Sequence, residues 1–112
     1  SGTWGYGLEF QSIVDLRDVG GVVVKGLSRE PIQGNPAPRL FESEAGMINS
    51  VGLQNVGVRA FVKDKLPLLR GCGTAIIANV FGYAPEDYEE VVRVMEGAEG
   101  VAAYELNVSC PN

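Results

Sequence analysis

The sequence predicts an α/β fold, a partial (β/α)8 barrel, from three observations. Short apolar strands alternate with segments of helical spacing, the order of βα units on a parallel sheet. The strands end in polar groups: Gly21-Val22-Val23-Val24 in Lys25, Thr74-Ala75-Ile76-Ile77-Ala78 in Asn79, and Val101-Ala102-Ala103-Tyr104-Glu105-Leu106 in Asn107. Finally, if Lys25, Asn79 and Asn107 point inward, period-2 alternation turns Val23, Ile77 and Glu105 inward too. An inward Glu105 needs a partner, because burying an unpaired carboxylate is costly. A doubly wound sheet also fits the alternation, but a barrel interior near its active face supplies that partner. The chain would provide about the first half of the barrel, without its first strand and its C-terminal half. Residues 1–112 then form a fragment of one domain.

Taken in order, Ser1 to Gly7 is a Gly-rich aromatic loop whose glycines allow tight turns or close approach to a ligand. Phe10, Ile13 and Val14 have the i, i+3, i+4 spacing of a helix, predicted over Leu8–Asp18 and ended by Gly20-Gly21. Val22-Val23-Val24 reads as a strand covered on both faces. Gly26 to Asn55 is long and rich in Gly, Pro and Asn, and loops of that length are usually functional or disordered. Within it, Arg39-Leu40-Phe41-Glu42 and Gly46-Met47-Ile48-Asn49 suit a small β-hairpin, which argues against disorder.

Asn55 is the expected N-cap of a helix from Val56 to about Arg70, with Val58, Phe61, Val62 and Leu66 inward and Pro67 kinking or ending it. Pro85 opens the next helix, with a stripe of Tyr88, Val91, Val92 and Met95. Its first turns carry Glu86, Asp87, Glu89 and Glu90, and negative charge is favourable there. Val101-Ala102-Ala103-Tyr104 leads the last strand and reads as buried.

The 112 residues carry 9 basic and 14 acidic side chains, a net charge of −5. That balance, with no Lys/Arg cluster, argues against nucleic acid as a partner. No apolar run reaches the roughly 18 residues of a membrane span, and no signal-peptide pattern opens the chain. Cys72 and Cys110, with no histidine, match no common zinc pattern, so no metal site is expected. Without a disulfide framework, a reducing compartment, the cytoplasm, is the default. Both ends fall inside loops, as in an internal piece of a longer protein.

The strand ends have coherent chemistry. In a barrel they converge on one mouth. Amides can hydrogen-bond the edge of a flat heterocycle as donor and acceptor together. A lysine supplies positive charge where an aromatic ring system gains an electron pair. A deprotonated thiol can take a proton from carbon. Cys110 follows a strand tip, between Asn107 and Asn112, whereas Cys72 lies between Gly71 and Gly73 at the opposite end of a strand. A small buried apolar role for Cys110 is the competing reading. Three successive N–H groups at Val51, Gly52 and Leu53, beside Asn49, can make an anion-binding nest.

Five motifs together identify a resemblance. They are Ser1-Gly2-Thr3-Trp4-Gly5-Tyr6-Gly7, Val24-Lys25-Gly26, Gly34-Asn35-Pro36-Ala37-Pro38-Arg39, Gly46-Met47-Ile48-Asn49-Ser50-Val51-Gly52-Leu53-Gln54-Asn55 and Glu105-Leu106-Asn107-Val108-Ser109-Cys110-Pro111-Asn112. In that order they resemble the class 1 dihydroorotate dehydrogenases along the whole chain. The Gly-Leu-Gln-Asn and Ser-Gly-Thr-Trp-Gly-Tyr-Gly wording is most similar to the two-subunit, NAD-linked class 1B.

The resemblance implies a (β/α)8 TIM barrel with FMN at its mouth. It implies oxidation of dihydroorotate to orotate in pyrimidine synthesis. Cys110 matches the base that removes the C5 proton while a hydride passes from C6 to the flavin. Lys25 matches a lysine touching flavin and substrate. Asn49, Asn107 and Asn112 match substrate amides, and the Val51, Gly52 and Leu53 backbone matches the carboxylate site. Ser1, Gly2, Gly26, Asn79 and Asn107 match flavin-binding positions. A second subunit with FAD and an iron–sulfur cluster would carry electrons to NAD, in an assembly built on a homodimer or heterotetramer.

Other readings are a related flavin-dependent dihydropyrimidine dehydrogenase and a cofactor-free barrel lyase using Lys25 as a Schiff-base amine. By itself this piece would be an inactive scaffold, since an open half-barrel leaves strand edges unpaired.

Overall fold

The computed structural model describes residues 2–110, so Ser1, Pro111 and Asn112 lie outside the described residues. Three strands, β1 (Gly21–Val23), β4 (Ala75–Val80) and β5 (Ala103–Leu106), form one parallel sheet in the order β1-β4-β5. Between β1 and β4 lie an antiparallel hairpin, β2 (Leu40–Ser43) and β3 (Gly46–Asn49), and a helical run. That run comprises α1 (Val58–Ala60), a π-helical stretch (Phe61–Lys65) and α2 (Leu66–Leu69). Helix α3 (Pro85–Glu96) joins β4 to β5. No helix among the described residues is long and apolar enough to cross a membrane.

The sheet's alternation decides where the core sits. Val22 and Val24 from the β1 end, with Ile76, Ala78 and Val80 of β4, pack into one buried cluster. Phe61, Leu66 and Leu69 from the first helical run and Val91 and Met95 from α3 fill the same cluster. Each such side chain contributes about 1.5–3 kcal/mol when fully buried. Both crossover helices therefore cover the same face of the sheet. The other face carries Val23, Ile77 and Ala103 in register, then Asn79 beside Glu105.

Several local expectations change. Leu8–Asp18 is not a helix but a series of turns ending in a 3-10 segment, Leu16–Asp18. Glu9 folds back to accept from the Tyr6 and Leu8 N–H groups, and Asp15 accepts from the Arg17 N–H, so side chains take over the donors a helix would use. Phe10 packs on Trp4, with ring centroids 4.7 Å apart, while Ile13 is exposed. The supposed helical stripe is thus divided between two environments.

The second helix starts at Val58, after Gly57 as N-cap, rather than at Val56. Pro67 does not end it. A proline within a helix clashes with the carbonyl four residues back, and the wider π stretch just before Pro67 relieves that crowding. Helix α3 starts at Pro85 as expected, and Asp87 reaches back to accept from the Tyr83 and Ala84 N–H groups at 3.0 and 3.3 Å.

The hairpin forms as expected, with Phe41 opposite Ile48, but its side chains are exposed. The last strand is shorter than expected and is not buried: Ala103 and Leu106 are exposed, and Tyr104 and Glu105 are half-buried. Among the described residues β5 is an edge strand, with no neighbour to cover its far side. Val23, in the strand expected to be covered on both faces, is likewise only half-buried.

Candidate functional site

Lys25, Asn79 and Asn107 follow or finish three neighbouring parallel strands, so they share one edge of the sheet. At Lys25 the ladder changes step. The Val24 N–H donates to Ile77 O at 3.0 Å, and Leu27 next bridges to Val80, its N–H donating to Asn79 O at 2.8 Å. Lys25 and Gly26 together stand opposite Asn79 alone, which is a bulge. The Lys25 N–H turns away and donates to Gly5 O at 2.7 Å, tying the N-terminal loop to the strand end.

Gly26 is required by this crowding. A Cβ there would lie 2.9 Å from Asn79 Oδ1 and 3.1 Å from the Phe81 ring. Gly2 lies against the same corner, its Cβ position 3.7 Å from Gly26 N and 3.8 Å from Lys25 Cα. Gly2, Lys25, Gly26 and Asn79 are thus brought together. Asn79 is buried, and its amide donates to the Glu105 carboxylate on β5, so the inward Glu105 has found a partner. Asn107 extends the ladder, its N–H donating to Val80 O at 2.8 Å, and its carbonyl accepts from the Tyr88 hydroxyl at 2.6 Å.

Lys25 also lines a cavity of about 430 Å³ with Tyr6, Ile32, Gln54, Asn55 and Val56. Tyr6 is buried beneath it. Its hydroxyl accepts from the Val56 N–H at 3.0 Å, and the Lys65 ammonium lies 4.7 Å above its ring. Burial raises the Tyr6 hydroxyl's pKa, the Val56 N–H lowers it, and the charge of Glu9 raises it further, with a net upward shift.

The turn just before the cavity residues Gln54, Asn55 and Val56, Val51–Leu53, has an unusual backbone. Gly52 (φ 75°) and Leu53 (φ 56°) are both left-handed, and Leu53 is the single non-glycine residue so placed among the described residues. The carbonyls of Ser50 and Val51 accept from Asn35, and that of Leu53 from Asn55. Among the described residues the N–H groups of Val51, Gly52 and Leu53 have no acceptor. At this turn the carbonyls are held by protein donors while the N–H groups stay open.

Asn49 and Cys110 are placed less closely. Asn49 ends β3 on the exposed hairpin, and Cys110 is exposed on the segment after β5. No hydrogen bond joins either side chain to Lys25 or Asn79 among the described residues. Cys72 is half-buried at the opposite end of β4, its thiol 3.5 Å from Leu68 O. The assignments for Ser1 and Asn112 lie outside the described residues.

Sequence reading passed over Tyr6, Ser28 and Asn35, and gave Asn55 only a capping role. Tyr6 and Asn35 stand in motifs already noted, but Ser28 stands in none, and a buried tyrosine's partner 50 residues away has no local pattern.

Comparison with known proteins gives a consistent result. A Solibacter usitatus protein named "Putative dihydroorotate dehydrogenase A (fumarate)" is 71% identical over the whole chain. The catalytic subunits named dihydroorotate dehydrogenase B (NAD(+)) from Thermodesulfovibrio yellowstonii and Trichlorobacter lovleyi are 57% and 52% identical, also over the whole chain. In each case the chain spans 37% of the relative's length. The family model described as dihydroorotate dehydrogenase matches residues 1–112. With its motifs, its parallel sheet and that match in agreement, the chain belongs to the dihydroorotate dehydrogenase family.

Proposed function

We propose that residues 1–112 are part of one FMN-binding (β/α)8 barrel domain that oxidises dihydroorotate to orotate in pyrimidine synthesis. The observation that carries this reading is the common edge of Lys25, Asn79 and Asn107, with the open Val51–Leu53 donors on a turn leading into the Lys25 cavity. Support for a barrel comes from the polar Asn79–Glu105 pair on the sheet face away from both crossover helices, where a barrel interior would lie.

The residues suit a flavin. Gly2 and Gly26 let the backbone of the Lys25 corner pack closely, and the half-buried Asn107 amide and the Asn79 Oδ1 beside Gly26 can serve a heterocycle's edge. When bound, FMN supplies the hydride acceptor. Lys25 sets positive charge beside ring and substrate. Asn49 and the Val51, Gly52 and Leu53 N–H groups hold the substrate carboxylate, with Asn107 and Asn112 as further substrate amides. Cys110 takes the C5 proton. The family resemblance assigns Ser1, with Gly2, to flavin binding.

The names of the Thermodesulfovibrio and Trichlorobacter relatives, with the class 1B wording of the motifs, support an NAD-linked catalytic subunit. It would work in the cytoplasm with an FAD- and iron–sulfur-containing partner, in a homodimer-based or heterotetrameric assembly. The name of the Solibacter relative favours a second reading, with fumarate as acceptor.

The test uses a full-length protein carrying this segment. It should purify yellow, and anaerobic dihydroorotate should bleach it. Colourless protein, or flavin untouched by dihydroorotate, would overturn the proposal. Reoxidation by fumarate alone would select the second reading; reoxidation by NAD only with the partner subunit would select the first.

A further inference from the structure

We propose that Asn55 is a positioning residue for substrate binding: its side-chain amide clamps the Leu53 carbonyl and thereby fixes the Val51–Leu53 N–H groups. The inference rests on the carboxylate-site reading above and adds to it the group that holds that site in shape.

Asn55 is 6% exposed, and its side chain uses both ends. Nδ2 donates to Leu53 O at 3.0 Å and to Ser28 Oγ at 2.9 Å. Oδ1 accepts from the Gly57 N–H at 2.8 Å and from the Ser28 N–H at 3.3 Å. Its backbone is fixed as well, exchanging hydrogen bonds with Ile32 at 2.9 and 3.0 Å. A helix cap would need the acceptor alone. The donor to Leu53 does nothing for the helix.

What the donor does is local to the turn. Leu53 is held at φ 56°, a conformation that costs a branched side chain energy and persists only where surroundings enforce it. The carbonyl of that residue is the one Asn55 grips. From the other side, Asn35 grips Ser50 O at 2.7 Å and Val51 O at 3.0 Å. With the carbonyls restrained at both ends, the intervening N–H groups are pre-set for an anion, and a pre-set site loses less order on binding. Ser28 lies three residues after Lys25, so the same amide ties the carboxylate turn to the strand end that carries the lysine.

The experiment compares Asn55→Asp, Asn55→Ala, Asn49→Ala and Val91→Ala with wild type in a full-length, flavin-loaded protein carrying this segment. Asn55→Asp keeps an acceptor for Ser28 and Gly57 but loses the donor to Leu53 and to Ser28 Oγ and buries a carboxylate, so it is read together with the uncharged Asn55→Ala. Orotate affinity is read from the flavin absorbance change, with flavin content and Tm measured beside it. Asn55→Ala removes the donor without adding a charge, which separates the lost clamp from the new carboxylate.

Asn55→Asp and Asn55→Ala should each weaken orotate binding about ten-fold. The Ala variant should raise KM for dihydroorotate while kcat stays within about two-fold. Val91→Ala, a core variant remote from the turn, should lower Tm without changing orotate affinity. If Asn49→Ala weakens orotate but Asn55→Asp binds it as wild type does, the clamp is wrong and the carboxylate site stands. If neither weakens it, the carboxylate reading fails and the clamp with it. If Asn55→Asp weakens orotate binding but Asn55→Ala does not, the new charge is the cause and the clamp is overturned.

Discussion

Asn79 and Glu105 stand opposite each other on neighbouring parallel strands, and the amide of the first donates to the carboxylate of the second. A polar pair on the face away from the helices is what a strand layer facing a shared interior requires, because a carboxylate turned inward without hydrogen bonds is costly. The same pair fixes the Asn79 amide just below the Lys25–Gly26 bulge.

Asn79→Asp should therefore destabilise a full-length protein carrying this segment in a pH-dependent way. Two facing carboxylates cannot both ionise cheaply, so one is held above its ordinary value. A carboxyl with a raised folded-state pKa favours the fold while protonated, and that advantage is lost as pH rises through the raised value. The deficit against wild type should be about 1–3 kcal/mol at neutral to alkaline pH and shrink on acidification. Chemical unfolding along a pH series measures it. A deficit that does not vary with pH contradicts the pairing.

Cys110, and not Cys72, should govern proton removal. In stopped-flow bleaching of a full-length protein by dihydroorotate, Cys110→Ser should slow flavin reduction by at least about ten-fold, in the range of general-base effects. It should also move the rising limb of the pH profile upward, since a hydroxyl is a much weaker acid than a thiol. Cys72→Ser should change neither, with its thiol engaged by Leu68 O at the far end of β4. Wild-type reduction rates in Cys110→Ser at every pH would place the base elsewhere.

Tyr104 offers a test of the α3–β5 contact. Its hydroxyl donates to the Glu96 carboxylate at 2.6 Å. Burial, then that hydrogen bond and the charge of Glu96, push its pKa from 10.0 up to about 12. A raised folded-state pKa means the contribution is intact below pH 10 and is lost as pH rises toward 12. Glu96→Gln should lower the Tyr104 transition in an ultraviolet titration. An unmoved transition means that burial alone sets it.

Phe61 is fully buried, with its ring 5.8 Å from that of Tyr6. Phe61→Ala should cost about 3–5 kcal/mol in denaturant unfolding. Because Tyr6 holds the Val56 N–H beside the cavity, orotate binding should weaken as well. A loss below about 1 kcal/mol would mean that the site collapses freely around the gap.

The sequence by itself determined the parallel βα order, the hairpin, the α3 start and the polar strand ends. These rest on short-range rules: period-2 alternation, proline at a helix start and β-branched runs. It also carried the family, because five motifs in order are a property of the chain. Only the tertiary structure decided that Leu8–Asp18 is turns, since Glu9 and Asp15 compete for backbone donors and Trp4 draws Phe10 aside. It alone revealed the bulge at Lys25–Gly26, which depends on where Leu27 meets Val80 on another strand. It turned Asn55 from a helix cap into a clamp between Leu53 and Ser28, because hydrogen bonds across 27 residues leave no periodic trace in a sequence.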